Sequence, residues 1–210
     1  LIPTKAWKQS RLGEPWQAGE TISISIGQGF NLVTPLQLAA AYGGLANGGT
    51  LWRPHIIRRI EAPDGSTYRV FSPEAHGKIP VSRENLDIVG HGLWGVVNEK
   101  GGTGYALKRK EEDVCGKTGT AQVVGLPDND KARREKKISA QFQDHALFVC
   151  YAPYKNPEIV VAVIVENAGH GGSVAAPVAR KVVDAYFAQK KEQNRPQVAA
   201  FQSAKSSGRP

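Results

Sequence analysis

Methionine is absent from this 210-residue sequence, and cysteine occurs only twice. Because translation begins with methionine, and no secretory leader pattern opens the sequence, we expect a processed product or a fragment of a longer protein. Long hydrophobic runs are missing as well. The longest, 159–165, has seven residues, far fewer than the roughly 18 that a transmembrane helix needs. The remaining composition, 40% hydrophobic and 22% charged, is typical of a globular protein.

Metal-binding cysteine spacings are also lacking. Cys115 and Cys150 are far apart, and neither has a second cysteine or a histidine at the spacing of a zinc site. Both lie in apolar segments that resemble strands. Two buried free thiols are therefore favoured, while a disulfide between neighbouring strands stays open as an alternative. We expect no metal site.

The net charge of +8 raises the question of a nucleic-acid partner. The segments Lys131–Lys137 and Lys190–Arg209 each carry +4, because each holds five basic residues and one acidic residue. The rest of the chain has 17 residues of each sign and is neutral. A surface that binds duplexes would spread its basic residues over a folded face. The pattern instead favours a solvated loop and tail, and we expect no nucleic-acid partner.

The first fifty residues predict one strand and one helix. Residues 1–20 read as loop, and the alternation of isoleucine with polar residues in Thr21–Ile26 predicts a short strand. Thr34–Gln37 combines a capping threonine, a proline at the first helical position and a glutamine that completes a capping box. We therefore predict a helix that begins after Thr34 and stops at Asn47.

A hairpin and a second helix are predicted next. The turn Pro63–Ser66 lies between the apolar residues of 56–60 and those of 68–70, which predicts an antiparallel pair. Ser82 begins a helix whose expected inner face is Leu86, Val89, Leu93 and Val96.

The last third predicts three strands and a helix. The strands are Val114–Val124, Ala146–Tyr151 and Ile159–Val165, and the last two are close enough in sequence to pair antiparallel. A helix over Ser173–Gln189 should turn inward the residues Val178, Val182, Tyr186 and Phe187. We expect a poorly packed basic tail of low complexity over 190–210. The predicted fold class is α+β, an antiparallel sheet flanked by helices.

The chemistry points to the segment Cys115–Ala121, which contains Lys-Thr-Gly. On a strand beside a cleft, glycine lets a ligand approach the backbone closely. Lys117 supplies a positive charge, the hydroxyls of Thr118 and Thr120 can bind a carboxylate, and an exposed N–H of Thr120 can donate to an oxyanion. Alternatively, the segment is a solvated strand with an incidental lysine. His145 is expected to be structural, because Asp144 beside it points to the opposite face of a strand.

The order of several motifs resembles the C-terminal half of the transpeptidase domain of class B penicillin-binding proteins. The resemblance covers 1–189 and rests on Thr21–Phe30, Thr34–Ala39, Ala46–Gly49, Cys115–Ala121, Asp144–Phe148, Tyr151–Pro153 and Val165–Gly169. The opening segments Trp7-Lys8, Pro15-Trp16 and Gly19–Thr21 are more similar to the elongation-specific branch of Gram-negative bacteria than to the division-specific one. The implied fold is part of the penicillin-binding transpeptidase and serine β-lactamase-like fold.

The resemblance implies a role for each matching residue. Lys117 would give electrostatic and proton-network support, and the N–H of Thr120 would be an oxyanion donor. Thr118, Gly119 and Thr120 would hold the terminal carboxylate of a stem peptide or a β-lactam. No serine here has lysine three positions later or asparagine two positions later. The nucleophile and the second motif are thus expected upstream of Leu1, and this chain alone is expected to be inactive.

The implied activity is peptidoglycan D,D-transpeptidation through a serine acyl-enzyme, without a cofactor. Implied partners are stem peptides, β-lactams, a membrane glycosyltransferase and the scaffold of the elongation complex. The implied location is the periplasmic face of the inner membrane, with the anchor outside this sequence. A serine β-lactamase relative, a non-enzymatic β-lactam sensor domain and an unrelated binding module remain as alternatives.

Overall fold

The computed structural model describes residues 1–111, 113–123 and 139–194. In chain order its helices and strands are α1 (Lys5–Leu12), α2 (Ala18–Ser25), α3 (Pro35–Ala46), β1 (Thr50–Trp52), β2 (Arg59–Glu61), β3 (Thr67–Val70), β4 (Ala75–Lys78), α4 (Arg83–Asn98), β5 (Cys115–Ala121), β6 (His145–Ala152), β7 (Ile159–Val165) and α5 (Ala175–Gln193). Two short 3-10 helices cover Tyr105–Leu107 and Ala140–Phe142. This composition confirms the predicted α+β class.

The N-terminal segment differs from its prediction. The expected loop over 1–20 contains α1, which Thr4 caps by accepting a hydrogen bond from the Trp7 N–H at 3.0 Å. The expected strand Thr21–Ile26 is instead most of helix α2. The carboxylate of Glu20 accepts a hydrogen bond from the Gln17 N–H at 2.7 Å and fixes the first turn of that helix. Among the described residues no strand lies beside 21–26, so a strand there would have no partner for its backbone groups. The locally capped helix satisfies those groups within itself.

The predictions of helix α3, of the hairpin and of helix α4 are confirmed. Helix α3 begins with the expected capping box: the Gln37 N–H donates to the hydroxyl of Thr34 at 3.1 Å, and the Thr34 N–H donates to the Gln37 side chain at 3.0 Å. Strands β2 and β3 pair antiparallel around the predicted turn. Ser82 caps α4. The sequence did not predict the second two-stranded sheet, in which β1 pairs with β4.

The central layer is the antiparallel sheet β5-β6-β7. On one face, the apolar side chains of α5 and the end of α4 pack against Phe148 and Cys150 of β6. On the other face, Leu93 of α4 and Tyr42 of α3 pack around Cys115 and Tyr151. The sheet is therefore covered on both sides, and β5 is its end strand among the described residues.

The buried helix faces are rotated relative to the prediction. Helix α5 buries Ala176, Ala179, Val183 and Phe187, whereas Val178 and Val182 are 43% and 44% exposed. Helix α4 buries Leu86, Leu93 and Val97, whereas Val89 is exposed. The predicted spacing of three and four residues is present in each helix, but two neighbouring rows of residues have the same spacing. In α5 the buried row is the one that contains the alanines.

Helix α5 continues beyond residue 189 to Gln193. Most of the predicted tail, 195–210, and the basic segment Lys131–Lys137 lie outside the described residues. The described helices include none that is long and apolar enough to span a membrane.

Both cysteines are buried free thiols, as the sequence favoured. Cys115 pairs across the ladder with Tyr151, and Cys150 pairs with Gly116. Since neighbouring residues of a strand point to opposite faces, the two sulfur atoms lie on opposite sides of the sheet. Burial raises the pKa of each thiol to about 12. At neutral pH neither is a reactive thiolate.

Candidate active site

The Lys-Thr-Gly segment lies on β5, at the end of the sheet and against β6. Gly116 allows β5 to lie very close to β6. A β-carbon at this position would stand 2.7 Å from the ring of Phe148 and 2.8 Å from the carbonyl oxygen of Val149. Such distances leave no room for a side chain. The backbone of β5 therefore packs directly against Phe148 and Val149 at the position before Lys117.

Lys117 and the two threonines point to opposite faces of β5, as alternation on a strand requires. Lys117 is exposed, and its ammonium group donates a hydrogen bond to the Thr118 carbonyl at 3.1 Å. The hydroxyl of Thr118 lies 3.0 Å from the hydroxyl of Thr103. The structure thus brings together all the site residues expected from the sequence, Lys117, Thr118, Gly119 and Thr120, with the cation on one side of the strand and the hydroxyls on the other.

Gln28 is a site residue that sequence reasoning missed. Its amide nitrogen donates to the Thr120 carbonyl at 2.5 Å, and its amide oxygen accepts from the Gln122 N–H at 3.5 Å. The flanking Gly27 and Gly29 have φ values of 81° and 71°, a conformation that favours glycine. Their presence was the available signal, but it does not reveal a partner 92 residues away in sequence.

The Gln28 contact also fixes the direction of the Thr120 backbone. In an antiparallel ladder, the N–H and C=O groups of one residue point to the same side. Because the Thr120 carbonyl points away from β6 toward Gln28, its N–H also points to the open edge of the sheet. The N–H is thereby aimed where a ligand oxygen could accept a hydrogen bond from it.

A cavity of about 300 Å³ adjoins this edge. It lies between the Gly27-Gln28 turn, Leu38 and Tyr42 of α3, and the segment Lys117–Ala121. Burial raises the pKa of the Tyr42 hydroxyl, which stays neutral. One exposed ammonium, two hydroxyls and an outward N–H beside a cavity suit a ligand that carries a carboxylate and a reacting carbonyl group.

Gly172 packs against the threonine side of the site. A β-carbon on Gly172 would lie 2.6 Å from the Thr103 carbonyl oxygen and 3.5 Å from the side chain of Thr118. The segment before α5 therefore packs directly against the Thr103–Thr118 pair.

His145 has a structural partner. Its Nδ1 atom accepts a hydrogen bond from the Asn167 N–H at 2.9 Å. The carbonyl of Asp144 accepts hydrogen bonds from Ala168 and Gly169 at 3.0 and 2.8 Å. These contacts support the structural role expected for His145, since they join the start of β6 to the turn after β7.

Metal ligation finds no support in the described ranges, where no group of three or more His, Cys, Asp or Glu residues is placed to hold an ion.

Comparison with known proteins identifies the class. The family model of the penicillin binding protein transpeptidase domain matches residues 3–184, and the chain belongs to this family. The relatives include peptidoglycan D,D-transpeptidase MrdA of Haemophilus influenzae, 42% identical in an alignment 202 positions long that covers 90% of this chain and 29% of that protein. MrdA of Acinetobacter baumannii is 40% identical in an alignment 201 positions long that covers 91% of this chain and 28% of that protein.

Solved structures agree with this assignment. Penicillin-binding protein 2 of Pseudomonas aeruginosa, in complex with WCK 5153, is 38% identical with a TM-score of 0.69, over 89% of this chain and 38% of that one. Penicillin-binding protein 2 of Helicobacter pylori, in complex with MreC, is 26% identical with a TM-score of 0.67, over 89% and 31%. The resemblance and the fold expected from the sequence are thereby confirmed. The chain spans less than a third of the length of these curated relatives.

Proposed function

We propose that the protein containing this chain is a serine-type peptidoglycan D,D-transpeptidase, and that β5 forms one wall of its active site. The observation that carries the proposal is the Lys-Thr-Gly segment at the open edge of β5, with the Thr120 N–H aimed outward. The MrdA relatives support cross-linking over the β-lactamase and sensor alternatives. A module unrelated to cell walls has no support from them.

Each residue of the edge has a proposed task. Lys117 places a fixed positive charge at the reacting centre and supports its proton network. The hydroxyls of Thr118 and Thr120 bind the terminal carboxylate of the stem peptide, and Gly119 lets it approach the backbone. The N–H of Thr120 stabilises the oxyanion, a contact whose loss typically raises the barrier by about 2.7–4 kcal/mol.

The reaction needs a serine nucleophile, and no serine of this sequence has a lysine three positions later. We propose that the nucleophile, with its lysine and the second motif, belongs to another part of the protein and faces the cavity beside Lys117. The serine attacks the carbonyl between two terminal D-alanines, and the last D-alanine leaves. The amine of a neighbouring stem peptide then resolves the ester. β-Lactams would acylate the same serine.

Partners and location follow from the same family relationship. The complex of the Helicobacter pylori relative with MreC supports an elongation scaffold as a partner of this protein too. A membrane glycosyltransferase is a further proposed partner. We place the domain at the periplasmic face of the inner membrane, with an anchor elsewhere in the protein.

Acylation of the intact protein by a fluorescent penicillin tests the role of Lys117. We expect Lys117→Ala to slow acylation at least tenfold, because the transition state loses its nearby positive charge. Lys155→Ala is the matched control, since Lys155 is also exposed but lies between β6 and β7. Unchanged labelling in Lys117→Ala would contradict the assigned role.

The isolated 210-residue chain offers a second test. We expect no covalent adduct with penicillin in intact-mass measurements, because the proposed nucleophile is not in this sequence. A mass increase of one penicillin would show that a residue of this chain is the nucleophile.

A further inference from the structure

The hydroxyl of Thr103 contacts the Lys-Thr-Gly segment from outside β5. It lies 3.0 Å from the hydroxyl of Thr118, at hydrogen-bond distance, although the two residues are 15 positions apart in sequence. Thr118 lines the cavity of about 300 Å³ beside Gln28, whereas Thr103 is not part of that lining. Thr103 therefore acts on the cavity through Thr118 and not by lining it directly.

The turn that carries Thr103 is packed tightly against the end of α4. A β-carbon on Gly102 would stand 2.2 Å from the carbonyl oxygen of Val96, which leaves no room for a side chain. The Gly104 N–H donates a hydrogen bond to the same oxygen atom at 3.0 Å. The two flanking glycines thus fix the backbone of Thr103 on both sides.

The end of α4 is in turn attached to the start of β5. The side chain of Asn98 is buried and donates hydrogen bonds to the carbonyl oxygens of Trp94 and Val114, each at 2.9 Å. Val114 directly precedes β5, so this amide joins the helix to the strand. The Thr103 turn and β5 are thereby held in a fixed position relative to each other.

The contacts of Thr118 fix the direction of its side chain. Its methyl group faces Gly172, where a β-carbon would lie 3.5 Å from it, and its hydroxyl faces Thr103. A hydroxyl has one proton to donate and two lone pairs that accept. When Thr103 donates to Thr118, the proton of Thr118 is left for a ligand. A carboxylate favours this direction, because a hydrogen bond to a charged acceptor is roughly twice as strong as a neutral one.

We infer that Thr103 is a positioning residue, which holds and polarises the Thr118 hydroxyl so that it donates to the ligand carboxylate. The inference rests on the proposed function, in which Thr118 binds the terminal carboxylate of a stem peptide or a β-lactam. Thr103 adds to carboxylate recognition and takes no part in the covalent step. Ligands with a free carboxylate should therefore depend on Thr103 more strongly than ligands in which the carboxylate is esterified.

The preference of the intact protein for a free carboxylate measures this role. Benzylpenicillin and its methyl ester are compared by their second-order rate constants of acylation, followed by intact-mass measurement. The rate constant of the acid divided by that of the ester is the carboxylate preference. Valine has nearly the shape of threonine without the hydroxyl, and we expect Thr103→Val to lower the preference at least about threefold. A role confined to folding would lower both rate constants by the same factor and leave the preference unchanged.

Two further variants complete the comparison. Thr103→Ser keeps the hydroxyl and should retain the wild-type preference within about twofold. Thr67→Val makes the same replacement at an exposed position of β3 and should leave the preference unchanged. A preference in Thr103→Val equal to that in Thr67→Val, or one in Thr103→Ser as low as in Thr103→Val, would overturn the inference while the proposed function stands. Failure of the wild type to form any acyl-enzyme with benzylpenicillin would overturn both.

Discussion

The two halves of the described chain bury their apolar side chains to very different degrees. Around the β5-β6-β7 sheet, Val97, Phe148 and Val183 are fully buried. In the first 78 residues, Ile22, Ile26 and Leu36 are 71%, 75% and 62% exposed. The buried hydrophobic side chains of the described residues all fall between Leu86 and Phe187.

The two regions therefore have different roles: one holds the hydrophobic core, and the other adds a contact to the candidate site. The sheet region has a core on both faces and supplies the strand that carries Lys117. The N-terminal region has little core and supplies Gln28, which reaches that strand through its side chain. Stability should therefore depend mainly on the sheet region, while the geometry of the edge should depend on both.

The largest effect should come from emptying the sheet core. Phe148→Ala removes a fully buried ring, and such truncations cost about 3–5 kcal/mol of unfolding free energy. Tyr68→Ala, in the N-terminal hairpin, removes a ring that is 78% exposed and should change stability by less than about 0.5 kcal/mol. Urea unfolding of both variants measures the contrast. Equal losses would show that the two regions share one core.

A smaller effect should come from cutting the link between the regions. Gln28→Ala removes the hydrogen bonds to Thr120 and Gln122, and we expect a loss of about 0.5–1.5 kcal/mol. Faster hydrogen exchange at the Gln122 N–H should accompany it. Gln9→Ala, at an exposed position of α1, is the control. If exchange at Gln122 stays as slow as in wild type, the side chain does not hold the edge.

The smallest effect should be a local response of the N-terminal region to pH. Lys8 is 3% exposed, and its ammonium group contacts Glu20 at 2.5 Å and the Pro15 carbonyl at 3.0 Å. The hydrogen bond from Lys8 lowers the pKa of Glu20 below its ordinary value of 4.5, and the bond to Glu20 raises the pKa of Lys8 above 10.5.

The sign of the pH effect follows from these directions. A lowered carboxyl pKa stabilises the folded state above pH 4.5, and this contribution is lost as the pH falls below it. The raised lysine pKa gives a contribution that is lost only above pH 10.5. Between those limits the pair is intact. The indole N–H of Trp16, which donates to the Thr21 hydroxyl at 2.9 Å, should shift in NMR spectra below pH 4.5, and Glu20→Gln should remove that acid transition.

Local signals in the sequence predicted the elements that depend on local contacts. The capping box of α3 and the span Ile159–Val165 of β7 agree with the structure. Helix α1 could also have been predicted, because Thr4 caps its N-terminus and Gly13 ends it at the C-terminus. Helix α2 was not, since its isoleucines alternate as in a strand and only capping by Glu20 decides the outcome.

The site divides in the same way. Lys117, Thr118, Gly119 and Thr120 are contiguous, so one motif and one predicted strand place them together. The hydroxyl pair Thr103–Thr118 and the amide of Gln28 depend on folding over 15 and 92 residues. Such contacts follow from topology, which periodicity and capping do not encode.

The reach of Gln28 has a consequence for aggregation. An unpaired edge strand is a template on which another extended chain can continue the sheet. The amide of Gln28 occupies the Thr120 carbonyl and the Gln122 N–H, the groups that a foreign strand would need to extend its pairing along β5. A second strand could therefore pair only with the part of β5 that precedes these groups. The Gln28 side chain thus makes this open edge a poorer template for extension of the sheet by another chain.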